Sequence, residues 1–367
     1  MADKYRVGII GRTGRGDYGH ALDEAFLSIP ECEIVAVADD DKVGLAKAAE
    51  RLKVGTTFVD YREMLDKTKP DIVAICQRWI DQHAEMILAA AERGIHMIIE
   101  KPFVRTPAEA DQVIAACEKT HARIVVGHPT HFSPKLAMVK KLIADGKIGK
   151  VLEYRARGKE DRRGGGEDLW VLGTHLLDMI RVLGGQPTWC FGRVLQSGQP
   201  VTKADVRDGA EGIGPLAGDT VNAIYGLADG AIATFASQQN MAGKPSRFGL
   251  QIYGSRGILE ILEGPLPDVK FLGDGSWSPG RSGVAWQNVS SAGIDVPEPL
   301  SGSEYTNRYS QAIRELLRAM EAQSEPTGGM YEGRDVTEMI AAVFESHRLG
   351  RPVSLPLETR ENPLTLL

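Results

Sequence analysis

The sequence predicts an α/β chain: a doubly wound parallel sheet first, then an α+β domain built on a second sheet. Three observations carry this. Strands and helices alternate from Tyr5 to Gly127, the strands are continuous apolar runs, and two hairpin turns replace the alternation beyond about Val151. Continuous apolar strands bounded by helices mean parallel βαβ units with both sheet faces covered. With 367 residues and a prior of ~150 per domain, we expect two domains, 1–127 and 128–367. Packing of the last helix back on the first domain is left open.

Taken in order, Tyr5–Ile10 is an apolar run ending at Gly11, and Ala21–Leu27 has a helical pattern. Glu33–Ala38 is the second strand and Lys42–Leu52 the second helix. Asp71–Cys76 is a third buried run, followed by a helix over Ala84–Arg93 that Gly94 stops. His96–Ile99 is a strand. Thr106 and Pro107 are an N-cap and a first-turn proline for a helix to Lys119, and Ile124–Gly127 closes the series. Further on, Thr220–Leu227 and Ala231–Gln238 flank Asp229-Gly230, a strong hairpin signal. Leu250–Tyr253 and Gly257–Leu262 flank Gly254-Ser255-Arg256, a second hairpin, so this half holds an antiparallel or mixed sheet. Tyr305–Ala322 and Arg334–Leu349 read as helices.

Composition narrows the function. The net charge is −6, with 43% hydrophobic and 25% charged residues, so there is no global basic field for a nucleic acid or an anionic membrane. No window approaches ~18 continuous apolar residues, and the opening Met-Ala-Asp-Lys-Tyr-Arg has no apolar leader. A cytoplasmic location is expected. The four cysteines (Cys32, Cys76, Cys117, Cys190) are widely spaced and read as reduced, buried thiols. No Cys/His grouping has zinc spacing, and no metal is expected.

The first chemical motif is glycine-rich. Gly11-Arg12-Thr13-Gly14-Arg15-Gly16-Asp17-Tyr18-Gly19 follows the first strand and opens a helix. One G-x-G-x-x-G register uses Gly14, Gly16 and Gly19. The other begins at Gly11, has Thr13 in the middle position and Gly16 third, and is favoured because its first glycine ends the strand. Such a turn lets backbone N–H groups approach a pyrophosphate at a helix N-terminus. Asp39 ends the second strand 23 residues past Gly16, about where a carboxylate accepts the ribose hydroxyls of NAD. The run Asp39-Asp40-Asp41 would repel a 2′-phosphate, so NAD is favoured, while Arg12, Arg15 and Lys42 keep NADP open.

With Glu100-Lys101-Pro102 after the strand His96–Ile99, the chain resembles the Gfo/Idh/MocA oxidoreductases, named for glucose–fructose oxidoreductase, inositol dehydrogenase and a rhizopine-catabolism protein. The resemblance continues through Asp71–Cys76, His83, Asp145–Val151, Gly164-Gly165-Gly166, Gly173-Thr174-His175-Leu176-Leu177-Asp178, Glu345-Ser346 and Gly350–Val353. It implies an N-terminal Rossmann domain, a C-terminal domain with a large open-faced, mostly antiparallel sheet, and self-association as a dimer or tetramer. It also implies Lys101 and His175 beside the reacting carbon, Glu100 toward the nicotinamide-side ribose, and cofactor contacts from Gln77 and His83. The activity implied is hydride transfer between nicotinamide and a secondary alcohol or ketone of a sugar, cyclic polyol or derivative. Alternatives are an NAD-dependent glycosidase working by transient oxidation and elimination, and a non-catalytic nucleotide-binding regulator.

The residues themselves agree. Lys101 stands at the carboxyl end of a parallel strand, where α/β proteins place ligands, and Pro102 keeps it extended. His175 titrates near neutrality and suits exchange of a hydroxyl proton. Asp178 lies three residues on, on the same helix face, and reads equally as a substrate or imidazole contact and as a pair for Arg181. Where many relatives carry Asp, four residues before the histidine, this chain has Val171. Asp168, seven before it, is either a substrate contact or an N-cap. Gln77-Arg78 replace a common Thr-Pro, and His128 and His131 stand where relatives often have Asn and Arg; His131 is a candidate substrate contact. Arg155, Arg157 and Lys159 share a strand face, and Arg157 either holds a substrate anion or belongs to a solvated charge row.

Overall fold

The computed structural model describes residues 4–367. The chain divides into two compact units, Met1–His128 with Glu211–Ile213 and Ser303–Arg334, and Pro129–Ala210 with Gly214–Gly302 and Asp335–Leu367.

The first unit is built on strands β1 (Tyr5–Ile10), β2 (Cys32–Ala38), β3 (Thr57–Phe58), β4 (Ile72–Ile75), β5 (His96–Ile99) and β6 (Ile124–Val126). They form one sheet in the order β3-β2-β1-β4-β5-β6, every neighbouring pair parallel. Val7, Ile9, Ile72–Ile75 and Met97–Ile99 are fully buried, as expected of strands covered on both faces. The helices between them are α1 (Leu22–Ala25), α2 (Lys42–Leu52), α3 (Tyr61–Thr68), α4 (His83–Ala91) and α5 (Pro107–Thr120). Their starts are chemically marked. Asp41 Oδ1 accepts Gly44 N at 2.7 Å and Thr106 Oγ1 accepts Glu109 N at 3.1 Å, satisfying otherwise orphaned donors. Strand order reverses at β1, which lies between β2 and β4, so the carboxyl ends of β1 and β4 flank the crevice where doubly wound sheets bind ligands.

The expected helix Tyr305–Ala322 is broken into Ser303–Thr306 and Ser310–Glu321. Asn307 causes the break by accepting Tyr309 N on its own Oδ1 at 2.9 Å, a local bond that competes with helix. The longer piece packs on β5 and β6 through Ala312, Ile313, Leu316 and Ala319.

The second unit holds α6 (Pro134–Ala144), β7 (Val151–Arg157), α7 (Gly166–Val171), α8 (Gly173–Gly184) and β8 (Pro187–Gln196). Its eleven-stranded sheet includes β7, β8, both predicted hairpins and Val353–Ser354. Pairing is antiparallel except where β7 runs parallel to Ile232–Gln238. Along Thr220–Leu227, Val221, Ala223 and Tyr225 point inward. The outward positions include Phe191 and Ile224, 38% and 39% exposed, the open face that the family resemblance implied. At the first hairpin Gly230 has φ +86°, a left-handed conformation that glycine adopts without strain. No helix among the described residues is long and apolar enough to cross a membrane.

Candidate active site

In the first unit, Gly11 ends β1 and the chain folds into a small loop in which Arg12 bridges Asp17. Tyr18 lies over Gly11 so closely that a Cβ there would sit 2.2 Å from its ring. Gly16, at φ +95°, approaches the main chain beyond β4, and a Cβ would be 2.4 Å from Arg78 N. Glycine is required at both places. Gly14, at φ +80°, faces open space. Arg15 stacks on Trp79 at 4.8 Å and pairs with Asp81 at 2.8 Å.

Asp39 is buried at the end of β2. It accepts Thr13 N at 3.1 Å, Thr13 Oγ1 at 2.7 Å, Tyr18 OH at 2.9 Å and Asp41 N at 3.0 Å. Burial beside Asp39, and the bond to it, push the Tyr18 hydroxyl far above the ordinary tyrosine range. A carboxylate has about four acceptor sites, so ribose hydroxyls would take the places of the Thr13 and Tyr18 hydroxyls. Next to it is a cavity of about 220 Å³ lined by Gly11, Arg12, Asp39, Asp40, Tyr61 and Gln82. Arg12 binds Asp40 at 3.3 Å, and its buried Nη1 has no protein partner. At the carboxyl end of β4, Gln77 is fully buried. Its Nε2 donates to Trp79 O at 3.2 Å while Oε1 has no partner, leaving an acceptor for a ligand N–H. Glycine turn, terminal carboxylate, cavity and orphaned amide together fit a dinucleotide.

Lys101 follows β5, is buried and precedes a cis proline. Glu100 does not turn outward to a ribose. Its Oε1 accepts His20 N at 2.9 Å, faces His20 Nδ1 at 3.0 Å, and accepts the Tyr309 hydroxyl, while Oε2 takes Lys101 N at 3.2 Å. Burial would raise this carboxyl, but the bonds from His20 and Tyr309 and the charges of His20 and Lys101 win and bring it to about 2. Lys101 thus stands beside a permanent buried anion. His83 likewise works through the protein. Its Nδ1 lies 2.9 Å from Pro102 O and its Nε2 2.9 Å from Gln77 O, so it ties together the chain segments that follow β4 and β5.

In the second unit, α8 begins after a break at Leu172 and presents His175 and Asp178 on one face. Asp178 meets His131, not Arg181. Nδ1 of His131 is 3.0 Å from each carboxylate oxygen, and Arg181 binds Asp335 at 2.8 Å. His175 Nδ1 is 3.8 Å from Glu263 Oε1, and Phe248 stands edge-on to its ring at 6.5 Å. Thr130 Oγ1 accepts Gly264 N at 2.9 Å, joining the two loops that bring His131 and Glu263 to α8.

Two expected substrate contacts lie elsewhere. Asp168 is fully buried and its Oδ2 accepts Ser237 Oγ at 2.5 Å and Glu160 N at 3.1 Å. Burial raises its carboxyl despite those bonds, and Oδ2 pins β7's continuation to α7, while Oδ1 is buried without a protein partner. Arg157 forks onto Glu160 at 2.7 and 3.0 Å, and Arg247 joins the same carboxylate at 2.8 Å, so two guanidiniums share one buried anion. Tyr309, His20 and Glu263 are site residues the sequence reading missed.

Family comparison fits this geometry. Residues 5–128 match the model for the oxidoreductase family with NAD-binding Rossmann fold, and residues 136–260 match the GFO/IDH/MocA C-terminal domain. The chain belongs to the GFO/IDH/MocA oxidoreductase family. It is 28% identical to levoglucosan dehydrogenase of Pseudarthrobacter phenanthrenivorans over 69% of this chain and 72% of that one. It is 27% identical to myo-inositol 2-dehydrogenase of Thermotoga maritima over 49% of each. A solved levoglucosan dehydrogenase in complex with NADH and levoglucosan shares the fold, with TM-score 0.76 and 21% identity over 96% of this chain and 100% of that one. The GFO/IDH/MocA chain described here is thus an NAD-binding oxidoreductase.

Proposed function

We infer that the chain is an NAD-dependent dehydrogenase of neutral sugars or cyclic polyols, with Lys101 and His175 managing the hydroxyl proton. The observation that carries this reading is Lys101: a buried amine at the carboxyl end of β5, its main-chain N–H on the Glu100 anion. A bound nicotinamide supplies the hydride acceptor. Glu100 holds Lys101 in place and favours its ammonium form, which donates to the substrate oxygen and stabilises developing alkoxide charge. His175, backed by Glu263, takes the hydroxyl proton. NAD is preferred over NADP because Asp39 and Asp40 place two carboxylates at the nucleoside cavity and Arg12 is paired with one of them. The outward Phe191 and Ile224 support self-association through the open sheet face.

The test is incubation with NAD and a panel of polyols, aldoses and glycosides. Net NADH is the expected result. Aglycone release without net NADH would assign the chain to oxidation–elimination instead, and cofactor binding with neither would assign it to a regulator.

A further inference from the structure

We propose that a cavity on the outward face of the second unit's sheet, walled by Arg157 and Arg247 at one end and Glu260 at the other, binds a small molecule carrying both an oxyanion and hydrogen-bond donors, such as an acidic or phosphorylated polyol. The proposal stands apart from the dehydrogenase reading, since none of these residues belongs to the candidate active site. The cavity holds about 650 Å³, within the span of small-molecule sites, about 300–1,000 Å³. It lies over β7 and the strands Ile232–Gln238, Gly249–Gly254 and Gly257–Leu262. Their register sets Thr234, Arg155, Gln251 and Glu260 in one row across the sheet. In the next row Arg157 lies between Ala236 and Gly249, and these small neighbours leave the space that forms the cavity.

Glu160 organises the cationic end. It is fully buried and stands at φ +60°, a conformation that a residue other than glycine holds only where its surroundings impose it. Its carboxylate accepts Arg157 Nη2 and Nε at 2.7 and 3.0 Å, Arg247 Nη2 at 2.8 Å and Gln238 N at 3.0 Å. The two arginine side chains nevertheless stay 40% and 52% exposed. A buried ion pair contributes little dependable stability. What this one does is fix the direction of two guanidiniums and leave one positive charge in excess, the arrangement that receives an oxyanion. Arg155 is held against the wall, paired with Glu153 at 2.7 Å and stacked on Tyr253 at 4.0 Å. Two strand spacings from β7, about 10 Å, Glu260 Oε2 accepts Gln251 Nε2 at 2.6 Å. That carboxylate has further acceptor sites for hydroxyl or ammonium donors. The cavity is thus polarised, and a bare anion or a neutral sugar satisfies only one of its ends. The row of Arg155 runs on through Ile224 to Phe191, so the apolar part of this face is separate from its charged, concave part.

The experiment is calorimetric titration of the full-length, NADH-loaded protein with glucose 6-phosphate, gluconate, inorganic phosphate and glucose. Wild type is compared with Arg247→Gln, Glu260→Gln and Arg193→Gln, the last an exposed arginine of β8 on the same face that serves as a charge control. Glucose 6-phosphate or gluconate should bind more tightly than inorganic phosphate and glucose. Arg247→Gln should weaken that binding by ~10–100-fold, the loss of one bond to a charged group. Glu260→Gln should bring the favoured ligand down to the level of inorganic phosphate, and it reads the site independently should Arg247→Gln fold poorly. Arg193→Gln should change nothing. No binding of either polyol anion, binding that Arg247→Gln and Glu260→Gln both leave unchanged, or an equal loss in Arg193→Gln overturns the proposal. Sedimentation of the same proteins identifies the rival occupant: if neither ligand binds and Arg247→Gln weakens self-association instead, the cavity belongs to a second copy of the chain and the proposal falls.

Discussion

Glu100→Gln tests the buried anion beneath the lysine, because it removes the charge and keeps the shape. The carboxyl sits at about 2 against an ordinary 4.5, a difference worth roughly 3 kcal/mol at 1.36 kcal/mol per tenfold. The sign follows from linkage. A carboxyl lowered in the folded state contributes stability that is fully present above its unfolded value and lost as pH falls through its folded one. Wild type should therefore exceed Glu100→Gln by roughly 3 kcal/mol at pH 7, or about 6–12 °C in the melting temperature of a unit this size. The gap should hold down to about pH 4.5, more than halve by about pH 3, and close near pH 2. The assay is thermal melting of both proteins across that range, with hydrogen exchange at β1 and β5 to assign the transition to the first unit. Tyr309→Phe should give a smaller loss, about 1.5–3 kcal/mol for one bond to a charged group. Equal melting temperatures at pH 7, or a gap that does not change with acid, would show that His20, Tyr309 and Lys101 do not hold a carboxylate there.

Three further outcomes are expected. Asp39→Ala should weaken NAD binding far more than NADP binding in equilibrium titrations; equal weakening would mean that its bonds to Thr13 and Tyr18 are purely structural. Lys101→Ala should lower kcat/KM by on the order of 10²–10⁴ with NAD affinity retained, and turnover surviving within a few-fold would remove the lysine from the mechanism. Asp168→Asn should keep kcat/KM near the wild-type value, since the carboxylate serves Ser237 and Glu160 N; a loss as large as that for Lys101 would return it to the substrate.

What could be read in advance follows the range of the interactions. Strands β1, β2, β4, β5 and β6 were legible because burial on both faces leaves an unbroken apolar run, and α5 because Thr106 and Pro107 mark its start locally. The sequence reading passed over Thr57–Phe58 and Tyr61–Thr68, since a two-residue strand carries no periodicity. The glycine turn and Asp39 were legible as a spaced motif. That Tyr18 folds back over Gly11 to reach Asp39 was not, because it depends on how the loop closes on itself. Tyr309 reaches Glu100 across 209 residues of chain, and Glu263 simply follows a hairpin strand, so neither had a local signal.

Val171 looked like a gap in the chemistry, since many relatives carry an acid there. In the folded chain it is buried at the end of α7, 1% exposed. The acids that back the imidazoles come from elsewhere: Asp178 from the next turn of α8, and Glu263 from the end of a strand nearly ninety residues on. Asp178 stands on the helix with both oxygens 3.0 Å from Nδ1 of His131. Glu263 sits on a loop anchored through Gly264 to Thr130 and stands 3.8 Å from His175. On the dehydrogenase reading, in which His175 takes the hydroxyl proton, Glu263→Gln should alter the pH dependence of kcat, because Glu263 is the carboxylate 3.8 Å from that imidazole. An unchanged pH profile in Glu263→Gln would refute that role for Glu263.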